Sequence, residues 1–152
     1  MMGVAEGGEK TGKLRARFVV HEHHASHLHF DFRLEIDGVL KSWAVPKGIS
    51  MNPAEKRLAV AVPDHAVSYI DFVGTIREGS YGAGKVFIWD SGVFETEAAA
   101  SENLSRGKLI LTIFGKKLRG DFTLLKMHNR PKQWLIIKSR DRFADSNWKI
   151  ET

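Results

Sequence analysis

The segment from His21 to Arg33, reading His-Glu-His-His-Ala-Ser-His-Leu-His-Phe-Asp-Phe-Arg, holds five of the seven histidines of the chain. From His29 onward the side chains alternate, His29, Asp31, Arg33 and Glu35 against Phe30, Phe32, Leu34 and Ile36. A period of two marks a strand with one face in a core and the other presenting polar groups. On such a strand His29 and Asp31 point the same way and can close on a single divalent ion. His23, six residues upstream of His29 across Ala25-Ser26, is the third candidate ligand. Two imidazoles and one carboxylate leave coordination positions open, which suits catalysis. Nitrogen and oxygen donors without thiolate fit manganese, zinc or ferrous iron. Arg33 adds a planar fork for a phosphate or a carboxylate.

A histidine-rich strand face can also be merely solvated, with adventitious metal affinity. The next residues favour a built site. Asp37-Gly38 is a two-residue hairpin signal, and a tight turn there sets Asp31 opposite Ala44, Arg33 opposite Ser42 and Phe32 opposite Trp43. Large apolar groups then meet on the core face, while small ones flank Asp31 and Arg33 and leave room above the polar row.

Other strands must hold these residues in place. Short β-type runs recur at Arg17 to His21, His29 to Ile36, Val39 to Val45, Arg57 to Val62, Lys85 to Asp90, Val93 to Glu95, Lys108 to Phe114, Arg119 to Met127 and Trp134 to Ser139. Asp37-Gly38, Ser91-Gly92 and Gly115 to Arg119 read as hairpin connections. Hairpin after hairpin predicts a mainly β chain, an antiparallel sheet closed into a barrel or folded as a sandwich. Thr96 to Ser105 is the one helical stretch, with Thr96 as a possible cap and Gly107 as its stop. No internal repeat occurs at a fixed period.

With 152 residues, 43% of them hydrophobic, the chain is long enough for one ordinary domain, expected over residues 14–152. Lys and Arg number 23 against 18 Asp and Glu, a net +5 that suits a polyanionic partner without requiring one. There is no cysteine, so disulfides and thiolate metal sites are excluded, and a reducing cytoplasm is permitted. Residues 1–13 carry four glycines and no signal-like apolar run, and are read as a flexible N-terminal arm of a cytoplasmic protein. No segment is long and apolar enough to span a membrane.

Arg57-Leu58-Ala59-Val60-Ala61-Val62 alternates again, with Leu58, Val60 and Val62 expected toward a core and Arg57 on the opposite face. Taken alone, Arg57 reads as a strand-initial surface arginine rather than a second anion fork. Pro63-Asp64-His65 is expected to break that strand and leave His65 in a loop, with Tyr69 four residues on. A loop histidine titrates near neutral pH and can act as acid, base or donor to phosphate, although many are idle. The glycine-dense Glu78 to Lys85 segment superficially fits a phosphate-binding loop. Val86 replaces the hydroxyl that magnesium needs, and Val86 to Trp89 reads as strand, so a tight turn is the better reading. Lys108, Lys116, Lys117, Arg119, Lys126, Arg130 and Lys132 make the later third basic, either for a nucleic-acid backbone or as solubilising edges.

His23, the His29-to-Glu35 strand, Asp37 to Gly48, the loop from Asp64-His65 to Tyr69, and Glu78-Gly79 with Tyr81-Gly82-Ala83-Gly84 together resemble the phosphoesterase domain of bacterial DNA ligase D and its free-standing relatives, in order from about Phe18 to Arg142. The resemblance implies a β-barrel with one or two short helices. It implies an enzyme that removes a 3′-terminal ribonucleoside and then the 3′-phosphate, leaving a 3′-OH for ligation, with Mn2+ as the usual metal. The matching positions assign metal binding to His23, His29 and Asp31, and phosphate contact to Arg33, Arg57 and His65, with Tyr69 in support and Lys47 as a weaker carry-over. The implied partners are DNA or RNA-tipped DNA 3′ ends, with a separate ligase and end-joining proteins, and the expected form is a free-standing monomer. The expected chemistry is attack by water on a metal-bound phosphate whose charge Arg33 and Arg57 offset, with His65 as hydrogen-bond or proton donor. His21 stands where relatives often carry glutamine, as either a polar contact or a competing ligand. Glu6 or Glu9 is a candidate substitute for acidic arm residues of the family. Two rival readings are a ferrous oxygenase built on His29, Asp31 and His65, and a catalytically silent module that binds nucleic-acid ends.

Overall fold

The computed structural model describes residues 12–151. Strand β1 (Lys13–His24) is followed by β2 (Leu28–Ile36) and β3 (Val39–Val45). Asp37 and Gly38 between the latter two have φ of 53° and 77°, the double left-handed geometry of a two-residue hairpin turn that matches strand twist. The expected register follows, with Asp31 opposite Ala44, Phe32 opposite Trp43 and Arg33 opposite Ser42. Next come β4 (Arg57–Ala66), β5 (Gly74–Ile76), β6 (Gly84–Glu97), β7 (Lys108–Phe114), β8 (Arg119–Lys126) and β9 (Gln133–Lys138). The sheet runs β1-β2-β3-β4-β9-β8-β7-β6, and the long β6 pairs with β1 to close an antiparallel barrel of eight strands. The short β5 adds to the start of β6 outside the ring.

The barrel is filled mostly by aromatic and branched side chains: Phe18, Phe32, Phe94, Phe122, Leu34 and Ile113 are completely or almost completely buried. Phe30, Phe32, Leu34 and Ile36 of β2 all belong to this core, as their alternation predicts. A smaller cluster of Val19, Leu40 and Ile70 lies apart from it, with Tyr69 packed against it. Ile70 comes from a short 3-10 turn, Val67–Asp71, which covers this face of β1 and β3 and carries Tyr69.

Four expectations are corrected. Ser91-Gly92 is not a hairpin, because β6 passes straight through it. A Cβ at Gly92 would overlap the Phe114 carbonyl oxygen and come within 3.3 Å of Phe18, so glycine is required there for close strand approach rather than for a turn. The helix is shorter than the composition suggests, Ala100–Ser105. Thr96 is claimed by β6, where it is buried opposite Leu111 and donates its hydroxyl to the Ile110 carbonyl at 2.7 Å; sheet pairing overrides helix propensity. Pro63 does not end β4. The register with β3 shifts between Leu40 and Ser42, a bulge that accommodates the missing N–H, and His65 therefore sits on the strand opposite Leu40. The faces of β4 are also reversed. Ala59 is buried and Leu58 is 38% exposed, because Ala61 and Ala59 pair with Trp43 and Trp134, whose rings meet at 5.8 Å and need small neighbours.

Residues 1–11 of the expected arm, with Glu6 and Glu9, lie outside the described residues. Lys13 already belongs to β1, opposite Glu97. Among the described residues no helix is long and apolar enough to cross a membrane.

Candidate metal and phosphate site

The polar row of β2 faces away from the barrel core. His29, Asp31 and Arg33 point the same way, and antiparallel pairing brings His23 of β1 directly opposite His29. One ligand atom from each of His23, His29 and Asp31 lies within 4.8 Å of the others. His23 Nδ1 is 3.2 Å from Asp31 Oδ2 and His29 Nε2 is 3.2 Å from Asp31 Oδ1.

The remaining ring nitrogens show how the site is poised. His23 Nε2 meets the Gly82 carbonyl at 2.7 Å and His29 Nδ1 meets the His27 carbonyl at 3.2 Å. A carbonyl oxygen only accepts, so the N–H of each ring is directed to backbone, and each ring turns its other nitrogen toward the same carboxylate. An acceptor facing a carboxylate requires a shared proton or a cation. Backbone carbonyls that fix histidine orientation in this way are the usual outer support of a metal ligand set. The hydrogen bond to Asp31 accordingly raises the His29 imidazole above its ordinary pKa. Burial works to raise the Asp31 carboxyl, but the His29 hydrogen bond and the Arg33 charge outweigh it and hold the group below the usual carboxylate value. The donor set, two imidazoles and a carboxylate with backbone-fixed rings, fits a divalent transition metal.

Arg33 is buried beside the triad, with Nη2 3.4 Å from Asp31 Oδ2. Its Nε donates to His21 Nδ1 at 3.1 Å and its Nη1 to Ser42 Oγ at 2.9 Å. Nη1 also lies 3.2 Å from His65 Nδ1, and the guanidinium stacks 5.1 Å from the Tyr69 ring centre. Burial lowers the pKa of Arg33, opposed by Asp31, yet a guanidinium stays charged. His21, fully buried on β1, is pushed down to about 4 by burial and by Arg33, so it is a neutral acceptor holding the arginine. Of the two roles open to His21, the structure supports the polar contact. Burial and Arg33 also lower His65. Its Nδ1 lies 3.2 Å from Arg33 Nη1, which can only donate, and 3.3 Å from the Pro63 carbonyl, which can only accept, so the two contacts call for opposite tautomers. Burial raises the Tyr69 phenol, keeping it protonated.

His23, His29, Asp31, Arg33, His65 and Tyr69 line a cleft of about 690 Å³ whose other walls include Ala44, Val62 and Ile76. Arg57 and Lys47 do not line it. Arg57 donates to the Lys47 carbonyl at 3.1 Å and pairs with Glu55 at 3.2 Å, while Lys47 follows Pro46 at the cleft rim. A triad of His29, Asp31 and His65 is not formed; His23 takes that place and His65 serves Arg33. Ser42 carried only a size signal in the sequence, and the Gly82 and His27 carbonyls carried none, because backbone acceptors are set by the fold rather than by residue type.

The sequence model described as the DNA ligase D 3′-phosphoesterase domain matches residues 21–126, from the middle of β1 to the end of β8. The chain belongs to that family. It is 48% identical over 140 residues to the multifunctional non-homologous end joining protein LigD of Pseudomonas aeruginosa, covering 91% of this chain and 16% of that protein. It is 45% identical over 139 residues to LigD of Mycolicibacterium smegmatis, covering 88% and 18%. For LigD of Mycobacterium tuberculosis the figures are 44% over 125 residues, 82% and 16%. The chain thus spans less than a fifth of the length of these relatives, and every residue of the cleft cluster falls inside the family match.

Proposed function

We propose that the chain is a metal-dependent phosphoesterase that heals nucleic-acid 3′ ends, removing a 3′-terminal ribonucleoside and then the 3′-phosphate to leave a 3′-OH for ligation. The observation that carries this reading is the convergence of the His23 and His29 acceptor nitrogens on Asp31, next to a buried arginine fork in an open cleft. His23, His29 and Asp31 would hold the metal, with Mn2+ as the preferred ion, and when bound it supplies a Lewis acid for a phosphate oxygen. Arg33, fixed by His21 and Ser42, binds non-bridging oxygens and offsets their developing charge. In the tautomer whose Nδ1 accepts from Arg33, His65 carries its proton on Nε2 and donates to an ester oxygen or gives it that proton as the bond to the leaving group breaks. Tyr69 keeps Arg33 in plane by stacking. Water is the nucleophile, since none of these side chains is activated for attack. Lys47 and Arg57, linked through the Lys47 carbonyl beyond Pro46, contact a phosphate of the approaching strand. The partners are DNA or RNA-tipped 3′ ends and a ligase with its end-joining proteins, and the working form is a monomer.

The test is a primer-template with one 3′-terminal ribonucleotide, incubated with purified protein with and without manganese and followed by gel and mass. Manganese-dependent loss of the nucleoside and then of the phosphate, both abolished by His29→Ala, is the expected outcome. Tight end binding with no turnover under any divalent metal would replace this reading with the silent end-binding module.

A further inference from the structure

The Glu78-to-Gly84 turn does two things at the cleft. Its Gly82 carbonyl holds His23 at 2.7 Å, and the preceding residue, Tyr81, lines the same cleft while remaining 89% exposed. Tyr81 is the most exposed large hydrophobic side chain among the described residues. The turn is tied by backbone hydrogen bonds from Ser80 N–H to the Arg77 carbonyl at 3.0 Å and from Ala83 N–H to the Ser80 carbonyl at 3.1 Å, and glycine at position 84 allows it to approach the His24 carbonyl of β1 closely. An exposed aromatic ring lining the same cleft as a phosphate-binding group is the arrangement with which proteins stack unpaired bases. The lining of the cleft also includes the apolar side chains Ala25, Leu28 and Ile76, and Leu28 is itself 40% exposed. The cleft thus combines a phosphate-binding group at Arg33 and His65 with apolar surface suited to a flat face.

From this geometry we infer that Tyr81 is a substrate-binding residue that stacks on the terminal nucleobase of the 3′ end, with Leu28 and Ile76 forming the floor of that subsite. The inference rests on the end-healing reading and adds which part of the substrate lies beyond the metal ligands. Stacking is tolerant of base identity because every base has a π face, so the subsite recognises that a base is present rather than which one.

The test measures equilibrium binding of metal-free protein to two primer-templates, one ending in a 3′-ribonucleotide and the other in the same ribose lacking its base. Wild type binds the base-bearing end about tenfold more tightly, or about 1.4 kcal/mol. Tyr81→Ala brings that ratio close to one, whereas Tyr81→Phe and Tyr81→Trp keep it. A 2-aminopurine placed as the terminal base is quenched on binding to wild type and remains bright with Tyr81→Ala. A ratio that persists in Tyr81→Ala, or a wild type indifferent to the base, would overturn the subsite while leaving the end-healing reading intact. Absence of manganese-dependent hydrolysis of the same ribonucleotide-ended primer-template by wild type would instead remove the end-healing reading and the subsite with it.

Discussion

Asp31 on β2 and Asp90 on β6 are both buried carboxylates in one barrel, and they are held in opposite ways. Asp90 accepts four backbone N–H groups, from Ser91, Lys116, Lys117 and Leu118, at 2.8 to 3.0 Å. Three of those donors form the β7–β8 turn and the fourth, Ser91, is the next residue of β6, so the carboxylate acts as part of the chain path and has little capacity left. Asp31 is surrounded only by side chains, two imidazoles and a guanidinium, which can exchange a proton for an ion without any backbone moving. The buried cations repeat the contrast. Lys138 is tied to the Asp121 and Ser139 carbonyls and to Asp141, whereas Arg33 is tied to His21, Ser42 and His65 side chains. Burial alone therefore does not mark a functional charge. Partners that can rearrange do.

The largest expected effect breaks the Asp31 side. Asp31→Asn removes the ligand shared by both histidines, and metal-dependent 3′-end hydrolysis should fall by more than about 100-fold, beyond the loss typical of removing an outer supporting group. Its melting temperature should move less than that of an Asp90 variant. Retention of full metal-dependent activity would show that Asp31 is not a ligand.

Asp90→Ala should do the reverse. It strands the three N–H groups of the β7–β8 turn, those of Lys116, Lys117 and Leu118, and at about 1 kcal/mol for each lost hydrogen bond the cost is about 3 kcal/mol. For a chain of this size that corresponds to a fall in melting temperature of roughly 6–12 °C. Hydrolysis per folded molecule, measured well below the transition, should match wild type. Thermal unfolding followed by circular dichroism checks the first part, and a large loss of specific activity would erase the proposed division between the two acids.

A third effect is a pH signature on the Asp31 side. His21 takes up a proton only at about pH 4 in the folded protein, against an ordinary value of 6.5. Between those values the unfolded chain binds more protons, so the stability this histidine gives is complete above pH 6.5 and is lost as pH falls toward 4. The expected loss is about 3 kcal/mol. Urea unfolding of metal-free wild type and His21→Gln at pH 7 and pH 4.5 isolates it, because glutamine does not titrate. Equal losses in the two proteins would mean that His21 is not held neutral against Arg33.

The same contrast explains what could be read before the structure. The period of two in β2 and the Asp37-Gly38 turn are local features, and together they put Asp31, Arg33, Ala44 and Ser42 in the observed register. The triad was legible because its members lie close in sequence and their chemistry is unusual. Features set by contacts between distant segments were not. Thr96 joined a strand because Leu111 lies opposite it. Leu58 turned outward because Trp43 and Trp134 already filled the interior against Ala61 and Ala59. His65 stayed on β4 because a bulge absorbed Pro63. Asp90 gave no signal at all, since its four partners are backbone groups, and a backbone donor looks the same at every residue.

Lys47 sharpens the comparison at its weakest end. Unlike Lys138 it is exposed, and unlike Arg33 its ammonium has no charged partner among the described residues, although its carbonyl is taken by Arg57. A cation satisfied by neither backbone nor side chain, next to the cleft rim at Pro46, is the type available to a passing phosphate. Lys47→Ala should then weaken binding to duplex ends by a few-fold and reduce the slope of log affinity against log salt by about one, the contribution of a single phosphate contact. Titrations across a range of salt concentrations measure this directly. A shift in affinity at one salt concentration without a change in slope would place Lys47 outside the DNA path and leave Arg33, Arg57 and His65 as the proposed phosphate contacts.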